Sequence, residues 1–358
     1  KQMKGQSDEE MMEDLKVLVE RSGGSIELSM LPEAAGLVYT PPLPEGETLR
    51  CRVFSGSIDD GWRTSSFSAL ISGREHAAEL PDRDREYRAE TIIAPVGHGE
   101  EGKDVEASER VILSDFPKGA VAGTCLHDIL EHVDFSLREV DSVRNLIRAR
   151  LESYGFDPGW ENTVYEAVRN VLTTPIPGGE SPFSLSMLGA EDRLHEVEFY
   201  APLELITSRK LGEVFQSCGG AGISRDFPDL LLNLGFKPVK GMLRGFIDMV
   251  FQVQGKYYLV DWKSNFLGVT PESYSKDRLR YVMEREFYIL QYHIYAVMLH
   301  RFLAARLKDY GYEHHFGGVY YVFLRGVDPL HGLENGIYFD KPSTDCIDAL
   351  ARCLAGEQ

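Results

Sequence analysis

Two carboxylates and an amine are the most distinctive chemical groups in the middle of this 358-residue chain: Asp248, Asp261 and Lys263. Paired carboxylates together with water are the ligands that Mg²⁺ favours, and Mn²⁺ and Ca²⁺ also take oxygen ligands. Two carboxylates buried side by side are unfavourable unless a positive charge lies between them. If the fold brings the aspartates together, the sequence predicts a divalent-cation site with Lys263 beside it.

A predicted β-hairpin would bring the two aspartates together. Strands are expected over Leu243–Val253 and Lys256–Lys263, because both segments are rich in aromatic and branched apolar residues. Gln254-Gly255 is the expected turn, and a two-residue loop makes Val253 face Lys256. Counting outwards then places the two aspartates directly opposite each other, with Cβ atoms ~5 Å apart. A four-residue loop with the same centre gives the same pairing, whereas an odd-numbered loop does not.

Strand alternation puts Lys263 on the same face as Asp261 and points the Trp262 side chain away. One alternative is a solvated ladder, in which Asp261 pairs with Lys263 and Asp248 points into water. Another is a metal-free cluster, in which both aspartates form salt bridges with Lys263 and Arg244. The apolar residues on both strands favour a central, buried hairpin over the solvated ladder.

Several longer segments carry a resemblance to a known family. They occur in a fixed order along the chain and extend well beyond the hairpin. The segments are SSFSAL (65–70), GTCLHDILEHVDF (123–135), EVEFYAPL (196–203), LRGFIDMVF followed by YYLVDWKSNFLG (243–268), QYHIYAVMLHRFL (291–303) and GGVYYVFLRG (317–326). Together they resemble the nuclease domain of the RecB subunit of RecBCD helicase-nucleases, a member of the PD-(D/E)XK nuclease superfamily. The resemblance spans nearly the whole chain and is weakest at its two ends.

The resemblance implies an α/β fold with a restriction-endonuclease-like central mixed sheet flanked by helices. It implies that residues 1–60 are the end of a helicase region and a linker, and that residues 61–358 form the nuclease domain. A helical insert is expected over residues 142–174. No G-x-x-x-x-G-K-[ST] motif occurs in the sequence, so this chain alone is not expected to hydrolyse ATP.

Local patterns add further predicted elements, with short segments between them. A charged helix is expected over 1–22, a linker over 23–48, a short helix capped by Ser65 or Ser66, and a solvated loop over 74–110. Other helices are expected over 124–133, 142–154, 161–172, 203–215, 228–236, 280–307 and 344–354, and other strands over 194–202 and 317–324.

A histidine in the helix predicted over 124–133 is a candidate third metal ligand. His127 lies beside an apolar stripe, where a hydrogen-bonded core histidine is the commoner outcome. The resemblance favours the ligand, since RecB-like nucleases place a histidine in this helix. It also implies help from the Trp262 backbone carbonyl, and Glu131, four residues after His127, could orient the imidazole. Thr124 is the expected N-cap of this helix.

Other polar residues are candidates for contact with substrate. Gln291 and Tyr295 match the Q-x-x-x-Y motif of RecB-like nucleases, whose polar ends reach DNA near the metal. Arg244 is a candidate DNA contact on the first hairpin strand. Glu196 and Glu198 fall on one face of a predicted strand. In one interpretation both carboxylates are exposed; in the other, Glu198 lies beside the metal. Burial near a metal should lower the pKa of Lys263 and suit it to activating water.

The charge pattern limits the kind of nucleic-acid contact. The net charge of −18 argues against a general nucleic-acid binder. Between residues 237 and 285, however, nine Lys and Arg residues stand against five Asp and Glu residues. The chain is therefore expected to touch phosphate locally, with other subunits supplying the remaining contacts.

The sequence predicts no membrane span or signal peptide. Its five cysteines are scattered without a C-x-x-C pair, so no disulfide or zinc site is expected and a cytoplasmic location fits. The resemblance implies a Mg²⁺-dependent exonuclease and endonuclease that hydrolyses phosphodiester bonds in double-strand break repair and recombination. The implied partners are single- and double-stranded DNA, RecC- and RecD-like subunits and a RecA-type recombinase. The alternative is a non-catalytic module that docks recombinase or partner subunits.

Overall fold

The computed structural model describes residues 7–30, 56, 62–72, 110–178, 182–218, 222–236 and 238–356. The chain forms two compact units, Lys1–Ser57 and Ile58–Gln358. Helix α1 (Asp8–Arg21) belongs to the first unit and begins with a capping box between Ser7 and Glu10, which confirms the predicted N-terminal helix. Most of the predicted linker and of the 74–110 loop lies outside the described residues, and the helicase assignment of the first unit stays a prediction.

The second unit is built on a mixed six-stranded sheet. The strand order is β1-β3-β4-β5-β6, and β2 also pairs with β3. The β1–β3 and β4–β5 pairs are parallel, and the others are antiparallel. The strands are β1 (Trp62–Ser66), β2 (Arg193–Ile206), β3 (Val239–Val253), β4 (Lys256–Lys263), β5 (Phe316–Phe323) and β6 (Ile337–Asp340).

Helices cover both faces of this sheet. One core cluster packs the sheet against α2, α6 to α9 and α11, and a second packs it against α3 to α5. This arrangement confirms the predicted α/β class with a restriction-endonuclease-like sheet. The helices are α2 (Phe67–Ser72), α3 (Ala120–His132), α4 (Val140–Ser153), α5 (Glu161–Thr173), α6 (Ser208–Ser217), α7 (Phe227–Leu232), α8 (Lys276–Arg285), α9 (Tyr288–Arg306), α10 (Tyr312–His315) and α11 (Thr344–Ala355).

The predicted hairpin is confirmed, including its register. Val253 pairs with Lys256, and Gln254 and Gly255 both adopt left-handed backbone conformations, with φ of 50° and 76°. Positive φ at both central residues is the requirement of a type I′ turn, whose twist matches that of the strands. The first strand is longer than predicted, since β3 begins at Val239.

Strand β3 has two partners along one of its edges. Strand β2 pairs with it from residue 239 to residue 251. Strand β1 pairs with residues 240–244 and β4 with residues 249–253. Because each strand has only two edges, β1 and β4 share the edge opposite β2. Residues 245–248 separate the two pairings, and Asp248 lies at the end of this gap.

Two predicted helices were wrong in their extent. The helix predicted over 280–307 is divided into α8 and α9, because Phe287 adopts a left-handed conformation with φ of 56° and ends the first helical run. The helix predicted over 203–215 begins only at Ser208. Strand β2 continues to Ile206, which pairs with Val239, and the Thr207 side chain then accepts a hydrogen bond from the Lys210 N–H and caps α6.

The predicted cap of α3 was also wrong. The helix begins at Ala120 after Gly119, whose φ of 103° favours glycine. Thr124 lies in the second turn, where its Oγ1 donates to the Ala120 carbonyl. The helix is one turn longer at its start, and His127 is therefore near its centre rather than in its first turn.

The prediction that the cysteines form no disulfide was wrong. Cys218 and Cys346 are joined, although 128 positions separate them in sequence. Cys218 ends α6 and Cys346 lies in the first turn of α11, so the bond depends on packing between two helices that sequence spacing does not reveal. Within the described residues, no helix is long and apolar enough to cross a membrane.

Candidate active site

The β3–β4 ladder ends one step before the two aspartates. Its last pair is Met249 with Val260, so Asp248 and Asp261 are next in register. Instead of continuing the ladder, the Asp248 carboxylate accepts a hydrogen bond of 2.7 Å from the Trp262 N–H through Oδ2. The Asp248 side chain therefore replaces a backbone partner where the strands separate.

A local distortion of the sheet accompanies this separation. Ile247 and Val250 pack in the same core cluster, although strict alternation would place them on opposite faces. The partner strand is distorted at the same level, because Glu196, which would face Asp248 in this register, has φ of 49°. Such irregularities re-aim side chains within a sheet, and here they occur where the Asp248 carboxylate leaves the regular pattern.

Asp261 and Lys263 form a buried ion pair. Their Oδ2 and Nζ atoms are 2.6 Å apart, and the two residues are 5% and 8% exposed. Lys263 Nζ also donates to Gln291 Oε1 at 3.2 Å and lies 4.1 Å from the centre of the Tyr288 ring. Burial by itself would lower the pKa of Lys263, but the attraction of Asp261, Tyr288 and Asp248 outweighs it and raises the pKa. The lowering expected of a lysine beside a bound cation stays a prediction, since without the cation the neighbouring carboxylates raise this pKa.

Gln291 extends this pair into a hydrogen-bonded chain on α9. Its Oε1 atom also accepts a hydrogen bond from the Tyr321 hydroxyl at 2.9 Å, and its Nε2 atom donates to the Tyr295 hydroxyl at 3.1 Å. Gln291 and Tyr295 are only 1% and 2% exposed. The Q-x-x-x-Y pair thus reaches the aspartate–lysine group from inside the protein, and its contact with DNA stays a prediction.

His127 approaches the same group from α3. Its Nδ1 atom is 3.6 Å from Oδ2 of Asp248, and the residue is 8% exposed. Burial would raise the pKa of Asp248, but His127, Lys263 and the Trp262 N–H together lower it. The structure thus brings together His127, Asp248, Asp261 and Lys263, which we call the sheet site. Trp262 contributes its backbone here, while its side chain packs in the second core cluster.

The sheet site has the donor set that a hard divalent cation uses. His127 contacts Asp248, and Asp248 and Asp261 both lie close enough to attract Lys263. The ligand atoms of His127, Asp248 and Asp261 do not all lie within 4.8 Å of one another. Oxygen ligands with one imidazole suit Mg²⁺ or Mn²⁺. The chemistry of these side chains therefore fits the predicted metal, although Lys263 already balances part of their charge.

Two predicted site residues lie elsewhere. Glu198 and Arg244 form an ion pair with an O–N distance of 2.8 Å on adjacent strands. Arg244 is four residues before Asp248 on β3, and Glu198 faces Phe246 rather than the aspartates. The salt bridge found for Arg244 is with Glu198, whereas the metal-free alternative expected one with an aspartate of the pair.

A second group of possible ligands lies on α3. Ligand atoms of Asp128, Glu131 and His132 all lie within 4.8 Å of one another, and we call them the α3 cluster. Sequence analysis assigned only Glu131, as a residue orienting His127, and that role stays a prediction. The spacing of three and four residues along one helix is the signal that could have identified the cluster. Asp128 is also held by Arg150 and by the Tyr154 hydroxyl, at 3.2 and 3.1 Å.

His195 is another residue that sequence analysis did not assign. It lies on β2 opposite Met249, and Arg193 Nε donates to its Nε2 atom at 3.2 Å. Its pKa is lowered to about 4, mainly by burial and also by the charges of Arg193 and His132, which Asp248 partly opposes. His195 is therefore neutral at neutral pH. It carries no charge to compete with His127 for Asp248.

Arg325 connects the two elements that carry the sheet site. The residue is 1% exposed and follows β5. Its guanidinium donates to the Ser264 carbonyl at 2.8 Å, directly after β4, and to three carbonyls in the segment that leads into α3. Those acceptors are the carbonyls of Leu113, Phe116 and Pro117. Five donors on a rigid plane suit this role, so Arg325 fixes α3 relative to the end of β4.

Helices on both faces of a mixed sheet, with acidic groups where two strands separate, define a protein of the restriction-endonuclease-like class. Comparison with known proteins narrows this class. The chain is 38% identical over 298 residues to the RecBCD enzyme subunit RecB of Escherichia coli, a match that covers 83% of this chain and 23% of the relative. It is 31% identical to RecB of Mycobacterium tuberculosis, over 94% of this chain and 32% of the relative. No family model matches the chain.

The chain belongs to the RecB family, as a RecB-type nuclease domain. A further relative, RecB of Haemophilus influenzae, is 28% identical over 94% of this chain and 27% of its own length. The chain spans about a quarter to a third of the length of these curated relatives. Its membership confirms the resemblance that the ordered motifs indicated.

Proposed function

We propose that this chain is a metal-dependent deoxyribonuclease, the nuclease module of a RecBCD-type helicase-nuclease in double-strand break repair and recombination. The observation that carries the proposal is the meeting of Asp248, Asp261, Lys263 and His127 where β3 and β4 separate. Family membership supports the same conclusion. In this proposal RecC- and RecD-like subunits deliver the DNA, and a RecA-type recombinase is a further partner.

The metal ligands in this proposal are Asp248, Asp261, His127 and the Trp262 carbonyl, and the ion is Mg²⁺, with Mn²⁺ or Ca²⁺ as substitutes in binding. A bound divalent ion lowers the pKa of its water and polarises a phosphodiester oxygen. The Trp262 N–H orients the Asp248 carboxylate through its 2.7 Å hydrogen bond.

Lys263 acts in this proposal as a cation. Its contacts with Asp261 and Gln291 fix the ammonium group near the aspartates, where it orients water and offsets charge on the phosphate. This role differs from that of a neutral lysine that removes a proton from water. Gln291, itself held by Tyr321 and Tyr295, keeps the ammonium group in place.

The test is cleavage of labelled single- and double-stranded DNA by the purified chain, in Mg²⁺ and in EDTA. Asp261→Asn preserves shape and should reduce cleavage at least about 100-fold, the scale of losing one transition-state-stabilising group. Asn is preferable to Ala because its side-chain oxygen can still accept a hydrogen bond from Lys263, the partner of Asp261, whereas Ala removes that acceptor.

Asp340→Asn is the matched control. Asp340 lies on β6, where it accepts a hydrogen bond of 2.7 Å from the Tyr292 hydroxyl, and it contributes no group to the sheet site. This variant should cut DNA like the parent chain. Cleavage by Asp261→Asn at the parental rate, or equal cleavage in EDTA, would refute the proposal.

A non-catalytic module that docks recombinase or partner subunits is the second candidate, and one observation favours it. Asp261 already pairs with Lys263, and Asp248 already contacts the Trp262 N–H and His127, so each carboxylate has protein partners. Calorimetric titration with Mn²⁺ separates the candidates. The non-catalytic module predicts no Mn²⁺ binding that depends on the aspartates. The nuclease proposal predicts a Mn²⁺ site that is lost in Asp261→Asn.

A further inference from the structure

One face of the sheet next to the sheet site carries aromatic and basic side chains. In the register of the sheet, Trp62 on β1 lies opposite Lys240 on β3, and Tyr200 on β2 lies opposite Arg244 on β3. Opposed residues share a face, and alternation along β3 adds Phe246 to the same side. We call these five residues the outer face.

These aromatic residues lie outside both core clusters. Trp62 and Tyr200 are each 56% exposed, and Phe246 is half-buried. The intervening β3 residue Leu243 points the other way, into the first core cluster. Large aromatic side chains are usually buried, and several on one exposed face indicate a binding surface.

Arg244 joins two of the aromatic residues, Tyr200 and Phe246, into one platform. Its guanidinium carbon lies 5.5 Å from the centre of the Tyr200 ring and 5.1 Å from the centre of the Phe246 ring. Glu198 holds its Nε atom at 2.8 Å. Contacts with a carboxylate and two rings restrict the rotamers of Arg244, so the platform is organised before any ligand binds.

We infer that the outer face binds single-stranded nucleic acid and guides it to the sheet site, an inference that rests on the proposed function. Aromatic rings stack on bases of any sequence, and basic groups beside them contact the phosphates. Lys240 is exposed and supplies such a group at the far end of the platform.

Continuity with the sheet site favours nucleic acid over a protein occupant. Phe246 and Asp248 lie two residues apart on one strand, or about 7 Å. From Lys240 to Phe246 the strand extends a further ~20 Å, which gives a straight path for several nucleotides. Lys240 and Arg244 supply two basic groups on this face in a chain whose net charge is −18, and Glu198 pairs with Arg244. A nucleic-acid strand stacked along this path would bring its backbone to Asp248.

The first test measures the affinity of the chain for a fluorescein-labelled oligo(dT) by anisotropy in EDTA. Trp62→Ala and Tyr200→Ala should each weaken binding about ten-fold, as expected for the loss of one stacked base. Lys240→Ala should reduce the slope of log affinity against log salt by about 0.7, the value for one lost phosphate contact. Trp62→Phe keeps a stacking ring and should retain most of the affinity.

Phe302→Ala is the matched control, because Phe302 is a 51% exposed aromatic residue on α9 that is not part of the outer face. It should bind oligo(dT) like the parent chain. If Trp62→Ala and Tyr200→Ala both bind oligo(dT) with the parental affinity, the inference is overturned. A protein would then be the better candidate for the occupant of this face. Absence of oligo(dT) binding by the parent chain would also overturn the inference.

A small substrate separates this inference from the proposed function. Bis(p-nitrophenyl) phosphate is too short to span the outer face, so Trp62→Ala should hydrolyse it at the parental rate in Mg²⁺. Asp261→Asn should show the opposite pattern, with oligo(dT) affinity retained and hydrolysis lost. A parent chain that binds oligo(dT) through Trp62 and hydrolyses neither substrate would support the outer face and refute the nuclease.

Discussion

Helix α3 contributes to two groups of potential metal ligands that differ in construction. The sheet site combines His127 with Asp248, Asp261 and Lys263 from two strands, and apart from the half-buried Asp248 its members are buried. The α3 cluster lies within one helix, where Asp128 and Glu131 are half-buried and His132 is exposed. Both groups contain carboxylates and an imidazole, so composition alone does not distinguish them.

Charge balance does not distinguish them either, since each group has two carboxylates, one imidazole and one fixed cation, Arg150 or Lys263. The origin of their closeness does. In the α3 cluster, Asp128 contacts Arg150 and the Tyr154 hydroxyl as well as His132. Residues three and four positions apart meet on any helix, so closeness there needs no special fold. In the sheet site, separate elements converge at a distorted gap and two carboxylates share Lys263 as their common cation. The comparison teaches that convergence of buried like charges is stronger evidence for a metal site than closeness alone.

The largest expected effect is on metal binding at the sheet site. Asp248→Asn removes one of two carboxylates and should weaken Mn²⁺ binding by about 100-fold or more, since even outer-shell partners of metal ligands contribute 10–100-fold. Isothermal titration calorimetry with the parent chain, Asp248→Asn and the control Asp340→Asn measures this effect. An unchanged Mn²⁺ affinity in Asp248→Asn would show that Asp248 of β3 is not a metal ligand.

The next effect tests how the lysine is held. Gln291→Met keeps the volume of the side chain and removes the acceptor used by Lys263 and Tyr321. Hydrogen bonds to charged groups contribute ~1.5–3 kcal/mol, so kcat should fall about ten-fold or more while KM changes little. Steady-state cleavage of oligonucleotides measures both constants. A rise in KM at constant kcat would instead favour the direct DNA contact that the motif predicts.

Arg325→Lys should affect the two groups unequally. A lysine cannot reach both the Ser264 carbonyl and the carbonyls before α3, and each buried carbonyl left unsatisfied costs ~1–3 kcal/mol. Urea unfolding should therefore show a loss of about 2–4 kcal/mol in the free energy of unfolding. Mn²⁺ affinity at the sheet site should fall in conditions where the variant is folded, because His127 moves relative to β4. The α3 cluster should keep its geometry, since it lies within one helix.

The closeness of the two aspartates in the sheet site could be predicted from the sequence, because the length and residues of a hairpin turn fix which strand residues face each other. Gln254-Gly255 fixed the turn, and the turn placed Asp248 next to Asp261. The separation of the strands at that point was not predictable, because it depends on β1 and β4 sharing one edge of β3. The pKa of Lys263 also depends on Tyr288 of α9, a neighbour that strand alternation does not reveal.

The missed features of the fold have the same physical origin. The break at Phe287 depends on a left-handed residue that packs against the core, and an apolar pattern that continues through it predicts one helix. Cys218 and Cys346 meet only because α6 packs against α11. Arg325 lies after a strand that was predicted, but its partners are backbone carbonyls, which carry no sequence signal. Long-range packing therefore accounts for each of these differences.

The smallest expected effect completes the comparison of the two groups. Asp128→Asn removes a carboxylate that contacts Arg150, Tyr154 and His132, so the free energy of unfolding should fall by about 1 kcal/mol. Because Arg150 already balances that charge, calorimetry should give the same Mn²⁺ affinity and stoichiometry as the parent chain. DNA cleavage should also be unchanged. A Mn²⁺ site lost in Asp128→Asn and retained in Asp248→Asn would reverse the comparison and assign the metal to α3.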